Sequence, residues 1–110
     1  MGGRAIIVFS NFNYDSMKFK RALYDVVLAE VLDAFGVTEE ELFNCNKEQC
    51  KEGRMVLVVA LSPFLSDSDI AAFSSMKRCS ICAKRNKYDK NNASWSVRKC
   101  LEIIEHKLKE

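Results

Sequence analysis

The sequence has few of the residues that catalysis usually needs. Its single histidine, His106, lies near the C-terminus among charged residues, where solvation at a helix end explains it better than catalysis. No cysteine near it carries an activating pattern. A GxxxxGK[ST] phosphate loop is also missing, and 110 residues leave no room for an ATPase domain beside another unit. We therefore expect no enzymatic activity and no cofactor.

Long apolar runs are missing as well. The first apolar run, residues 5–9, is too short for the apolar region of a signal peptide and far too short to span a bilayer. Without a secretory signal, the five cysteines, an odd number, are expected to be reduced thiols. The sequence therefore predicts a cytoplasmic protein with no membrane partner.

Two pairs of cysteines are spaced like the ligands of a four-cysteine zinc site, Cys79 with Cys82 and Cys45 with Cys50. Zinc knuckles usually place such pairs in tight turns with glycine nearby, and no glycine accompanies Cys79 and Cys82. Small reduced cysteines are common core residues, and we expect Cys82 and Cys100 to pack internally. We predict no metal site.

Apolar residues recur at helical spacing along most of the chain. Over residues 15–35 they predict a long helix that stops at Gly36. Thr38 and Glu41 form a capping-box pattern that opens a short acidic helix. The positions of the long helix that are predicted to face the core are Phe19, Ala22, Leu23, Val26, Val27, Val31 and Leu32.

Two more helices are predicted, one before the only proline, Pro63, and one at the end of the chain. The apolar run at residues 55–61 suits a buried strand when taken alone, but the helix-friendly charged residues before it and its helical neighbours favour a helix. A last helix is predicted over about residues 94–108. The remaining predicted core positions are Phe35, Phe43, Phe64, Trp95, Val97, Leu101, Ile104 and Leu108.

These elements predict an all-α fold, a compact bundle of about five to six helices. The bundle is expected over residues 15–110 as a single domain, and residues 1–14 are expected to be an N-terminal arm or a short strand. Hydrophobic residues make up 48% of the chain and charged residues 29%, a balance typical of a soluble folded domain.

The segment at residues 66–90 has the pattern of two helices around a tight turn. Ser66 with Asp69 three residues later marks a helix start, and Ser74 with Ser75 supplies the break before a second helix that begins at Lys77. The second helix is strongly basic, which favours contact with phosphate. Against the single acid Asp89 it carries Lys77, Arg78, Lys84, Arg85, Lys87 and Lys90. A solvated amphipathic helix is the alternative, but the pattern is typical of a helix-turn-helix DNA-binding motif.

Charge is also separated along the chain. Residues 25–69 contain ten acids and three bases, whereas residues 77–100 contain eight bases and one acid. Surface ion pairs contribute little to stability. A charge separation of this size therefore favours orientation of the molecule on nucleic acid over stabilisation of the fold.

Over residues 26–83 the order of these features resembles the C-terminal DNA-binding domain of the bacterial replication initiator DnaA. The stretches that carry the resemblance are FGVTEEELF at residues 35–43, EGRMVLVVAL at residues 52–61, FLSDSDIA at residues 64–71 and MKRCSIC at residues 76–82. The last stretch lies where the family has a signature for reading bases. Only Ser80 is kept there outright, and Lys77 preserves a charge.

The resemblance implies a helix-turn-helix at residues 66–90 and double-stranded DNA as the partner. Arg78 and Cys79 stand where the family has an acid and a histidine, so the DNA sequence that initiators recognise is not carried over. The predicted DNA-binding residues comprise a basic set before the motif and a set on its second helix, namely Lys47, Lys51, Arg54, Lys77, Arg78, Cys79, Ser80, Lys84, Arg85 and Lys87. For Arg54 an ion pair with Asp67 or Asp69 is an equal alternative.

Taken together, the sequence predicts a stand-alone DNA-binding module without catalysis, acting in replication or transcription regulation of a bacterium, phage or mobile element. The alternative is a protein-interaction domain that keeps the fold and has lost DNA reading. The first is favoured by the bases at residues 77–90, the second by Arg78 and Cys79. The sequence gives no oligomeric state.

Overall fold

A computed structural model describes the backbone of residues 2–89 and 91–109, and the side chains of residues 17–89 and 91–108. Its helices in chain order are α1 (Gly2–Phe35), α2 (Glu39–Asn44), α3 (Glu48–Leu61), α4 (Asp67–Phe73), α5 (Arg78–Lys87) and α6 (Trp95–Lys109). No strand occurs in these described ranges, which confirms the all-α prediction. Among the described helices, none combines the length and the apolar character that crossing a membrane requires.

Helix α1 is longer than the sequence predicted. It begins at Gly2, so the prediction of an arm or short strand is wrong over residues 2–14, while Met1 lies outside the described residues. The helix ends where predicted, at Gly36, whose φ of +64° lies in the left-handed region that glycine adopts without strain. The Val37 N–H donates to the Leu32 carbonyl at 3.1 Å, the bond that closes a helix ending in such a residue.

The predicted helix starts are also present. Thr38 Oγ1 accepts from the Glu41 N–H at 3.1 Å, and Glu41 Oε1 accepts from the Thr38 N–H at 3.0 Å, which together make a complete capping box for α2. At the start of α4, Ser66 Oγ accepts from the Asp69 N–H at 3.2 Å. Each bond satisfies a backbone donor that the first turn of a helix leaves without an intrahelical partner.

Helix α3 lies at the centre of the bundle and packs against α1, α2, α5 and α6. A helix covered on several sides needs apolar residues around most of its circumference, which explains why residues 55–61 resemble a strand in sequence and yet form a helix. At Gly53 the neighbouring helices come close, because an added Cβ would lie 2.7 Å from Leu42 Cδ1 and 3.3 Å from Val31 Cγ1. The buried residues of α3 are Cys50, Gly53, Val56, Leu57, Val58 and Leu61.

Most predicted core positions are buried or half-buried, but several are not. Phe19, Val26, Phe64 and Trp95 are 64%, 49%, 50% and 69% exposed, and Ala22 is exposed too, so their prediction as core is wrong. Helical periodicity shows that apolar residues share a side of a helix, but the width of the covered side depends on the neighbouring helices. The predicted positions that do belong to the core are Leu23, Val27, Val31, Leu32, Phe35, Phe43, Val97, Leu101, Ile104 and Leu108.

Candidate nucleic-acid interface

Helices α4 and α5 form a pair joined by the short turn at residues 74–77. The Ser74 N–H donates to the Ile70 carbonyl at 2.9 Å and ends α4, and Ser74 Oγ accepts from the Met76 N–H at 3.2 Å. This is the break that the sequence predicted. Ile70 and Ile81 are fully buried, one on each helix, so the pair is fixed to the bundle through its inner side.

The outer side of α5 lies opposite Ile81. Cys79, Ala83, Asn86 and Lys87 are all exposed there. The sequence predicted Cys79 and Lys87 at this surface but not the uncharged residues Ala83 and Asn86. Their positions four and seven residues after Cys79 were the available signal, since such positions share one side of a helix.

One edge of α5 is held to α4 by an ion pair. Arg85 Nη1 binds Asp67 Oδ1, and Arg85 Nη2 lies 3.5 Å from the sulfur of Cys82. The Asn86 amide also donates to that sulfur at 3.4 Å. Arg85 was predicted to neutralise phosphate, and the structure gives its guanidinium an internal carboxylate partner. Cys82, predicted to be internal, is half-buried.

The other edge of α5 concentrates positive charge. Lys84 is half-buried and its Nζ donates to Ser80 Oγ at 2.9 Å. Burial lowers the pKa of Lys84, and the charges of Arg54 and Lys87 lower it further. Cations that disfavour each other's charge in this way create a positive potential that suits an anionic ligand. The structure therefore brings together the predicted residues Arg54, Ser80, Lys84 and Lys87.

The structure shows contacts of Arg54 that neither of its two predicted roles included. Its Nη1 donates to the carbonyls of Cys45, at 3.0 Å, and of Leu42, so its guanidinium sits at the C-terminal end of α2. The alternative of a pair with Asp67 or Asp69 is wrong, because these carboxylates bind Arg85 and, at 3.2 Å, Lys20. Helix α2 has no base in its own last turn, which was the sequence signal that its carbonyls need a donor from elsewhere.

The remaining predicted bases are exposed. Lys47 and Lys51 lie at the start of α3, spaced so that they share a side of the helix with Arg54. Lys77 and Arg78 lie at the start of α5, which places them at the opposite end of that helix from Lys87. Within residues 17–89 and 91–108, none of Lys47, Lys51, Lys77 and Arg78 takes part in an ion pair. Lys90 lies outside the described residues.

The cysteines are free thiols in different environments. The backbone N–H of Lys47 lowers the pKa of Cys45, whereas burial raises the pKa of its neighbour Cys50. Burial raises the pKa of Cys100, which was predicted to pack internally and does so, to about 11. Among the side chains that the structure describes, no three cysteine, histidine or acidic groups gather closely enough to hold a metal ion.

Comparisons with protein-family models, with curated proteins and with solved structures found no match to this chain.

Proposed function

We propose that this chain is a non-catalytic module that binds double-stranded DNA, with α4 and α5 as the two helices of a helix-turn-helix. The observation that carries the proposal is the start of α5, where Lys77 and Arg78 are exposed and have no ion pair among the described residues. In helix-turn-helix proteins the first residues of the second helix contact base edges in the major groove. Lys77 and Arg78 would occupy that position here.

The charge along α5 supports the same orientation. Lys84 and Lys87 lie beyond the first turn, and the pKa of Lys84 is lowered by burial and by the cations Arg54 and Lys87. A DNA phosphate beside these ammonium groups would relieve that repulsion and release counterions, which gives affinity without sequence information. Lys47 and Lys51, on the side of α3 that Arg54 shares, would contact the neighbouring backbone.

The outer side of α5 suits close approach to a groove. Cys79 and Ala83 are small and exposed, so the helix backbone can come near the base edges. Asn86 follows on the same side, and an asparagine amide offers both the donor and the acceptor that adenine requires. A role in replication or in transcription regulation of a bacterium, phage or mobile element follows from the resemblance to the initiator domain.

Fluorescence anisotropy with labelled duplex DNA tests the proposal. The full chain is titrated with random duplexes and with duplexes resembling initiator boxes, at several salt concentrations. We expect salt-sensitive binding that the double charge reversal Lys77→Glu with Arg78→Glu abolishes. Both substitutions lie at the start of α5, where the helix dipole favours acidic side chains, so the variant should fold.

The matched control is Arg98→Glu with Lys99→Glu. It reverses two adjacent exposed bases on α6, a helix that packs against α1 and α3, and therefore changes the net charge by the same amount. We expect it to keep most of the affinity. Equal loss in the two variants would show that net charge alone drives binding, and undiminished binding by the Lys77 and Arg78 variant would remove α5 from the interface.

A protein-interaction domain on the same fold is the second candidate. It is favoured by a groove of about 950 Å³ between the end of α3 and α6, which Phe64, Tyr88 and Trp95 help to line. Phe64 is 50% and Trp95 69% exposed, and exposed aromatic residues of this kind are common in protein interfaces. Absence of DNA binding at low salt would leave this function as the better one.

A further inference from the structure

The outer face of α1 carries an apolar stripe that the rest of the described chain does not cover. It consists of Phe19, Ala22, Val26 and Ala29, all exposed, with Phe19 at 64% and Val26 at 49%. Their spacing of three and four residues is the repeat of a coiled-coil seam. The side of α1 that packs into the bundle is a different one, formed by Leu23, Tyr24, Val27, Leu28 and Val31.

Helix α6 widens this stripe. Lys107 Nζ lies 2.7 Å from Glu30 Oε2, so the side of α6 that carries Lys107 adjoins α1. Ile103 lies four residues before Lys107, on the same side of α6, and is 40% exposed. The apolar surface therefore extends from α1 onto a second helix.

The charges beside the stripe match a second copy of the same helix turned end for end. Lys18 and Asp25 lie seven residues apart along one edge of the stripe, as Phe19 and Val26 do within it. An antiparallel copy that sets Phe19 against Val26 also brings Lys18 close to Asp25 at both ends, as a two-fold interface requires. The crossing point then falls at Ala22, whose small side chain permits close approach.

A parallel copy fits less well. Asp33, exposed at the next position of the repeat after Ala29, would lie against its own counterpart, and two carboxylates in one layer repel. In the antiparallel arrangement the two copies of Asp33 lie at opposite ends of the interface.

Asp25 also forms an ion pair with Arg21 at 3.3 Å within its own helix, and both side chains remain 56% exposed.

We propose that this face is a homodimer interface, in which the α1 helices of two copies pack antiparallel about a two-fold axis near Ala22. The proposal does not depend on DNA binding. It rests on the exposed apolar stripe, its coiled-coil spacing and the self-complementary charges beside it.

Sedimentation velocity of the full chain over a range of concentrations tests the interface. We expect the parent to have twice the chain mass and Val26→Lys to have the mass of one chain. Val26 is half exposed, so the variant should keep the helix content seen by circular dichroism. Trp95→Ser is the control, because it removes an exposed apolar side chain outside the stripe and should leave the dimer intact. A parent that stays monomeric, or a Val26→Lys protein that stays dimeric, would overturn the proposal.

Cysteine crosslinking tests the antiparallel order. Under a mild oxidant, Ala22→Cys should give a disulfide-linked dimer because the two copies of this residue meet near the axis, and Ala29→Cys should not. The parent protein under the same oxidant measures any crosslinking by the native cysteines. Crosslinks at both positions would indicate parallel helices and contradict the proposed geometry.

Discussion

At the scale of single residues, Arg54 shows how one side chain links several elements. It lies on α3 and donates to two carbonyls at the end of α2. Burial lowers the pKa of Lys84 on α5, and the charge of Arg54 lowers it further. The carbonyls at the end of a helix lack intrahelical partners, and a cation there also interacts favourably with the helix dipole. Arg54 therefore stabilises the fold while contributing to the positive potential beside α5.

Replacing Arg54 with methionine keeps much of the side-chain volume and removes the guanidinium. We expect the free energy of unfolding to fall by about 1–3 kcal/mol, because two partly buried carbonyls lose a charged donor. Urea denaturation measures this, with Lys51→Met as the control, since Lys51 is an exposed base on the same helix. Equal stability of the two variants would show that the carbonyls of α2 do not depend on Arg54.

At the scale of elements, α2 is a helix of six residues and depends on its ends. A helix this short is not stable in isolation, because nucleation costs more than a few hydrogen bonds return. Its N-terminus has the capping box and three acids, Glu39, Glu40 and Glu41, in the first turn. Its C-terminus has Arg54 from α3. Side chains therefore hydrogen-bond backbone groups at both ends of α2.

The capping box makes the stability of α2 depend on pH. The backbone N–H of Thr38 holds the pKa of Glu41 below its usual value. The folded-state pKa is therefore lower than the unfolded one, so the stabilisation is complete above the unfolded pKa and is lost as pH falls through the folded one. Comparing urea denaturation of the parent and Glu41→Ala at neutral and acidic pH, we expect the difference in unfolding free energy to narrow in acid. Glu40→Ala removes an exposed acid in the same turn and should lower the free energy of unfolding by less at neutral pH. If Glu41→Ala lowered the free energy of unfolding in acid by as much as at neutral pH, the capping carboxylate would not be the cause.

At the scale of the whole molecule, the net charge of +2 hides two regions of opposite sign. Three ion pairs join acids of the acidic region, residues 25–69, to bases of other elements. They are Glu30 with Lys107, Asp67 with Arg85 and Asp69 with Lys20. The bases at the start of α5, Lys77 and Arg78, and those near Arg54, Lys84 and Lys87, have no carboxylate partner among the described residues. In the proposed function, this uneven distribution of charge would orient the protein on DNA.

Salt titration of DNA binding measures how many of these bases meet phosphates. Removing the charge of Lys87 with Lys87→Gln should make the slope of log binding constant against log salt shallower by about 1, with equal loss of affinity on all duplexes. Arg21→Gln removes a base on α1 whose partner is Asp25, and it should leave the slope unchanged. If Lys87→Gln bound like the parent at every salt concentration, Lys87 would not contact phosphate.

The sequence by itself determined the features that depend on residues close in the chain. The caps at Thr38 and Ser66, the stop at Gly36 and the turn at Ser74 each join groups a few residues apart, so spacing alone predicts them. The helical state of residues 55–61 was predictable only from its neighbours, because a helix buried on several sides loses the periodicity that distinguishes it from a strand.

The tertiary structure alone decided which side of each helix is covered and which charges find partners. Arg54 binds carbonyls nine and twelve residues away, and Arg85 binds Asp67 eighteen residues away, through packing that no local pattern encodes. Phe19 and Trp95 share the helical spacing of core residues and are nevertheless exposed, because no neighbouring helix among the described residues covers their side. Residues 2–14 join α1 since extending an existing helix costs far less than nucleating a separate element. Local spacing therefore determined the helices and their ends, and long-range packing determined the surfaces that remain for binding.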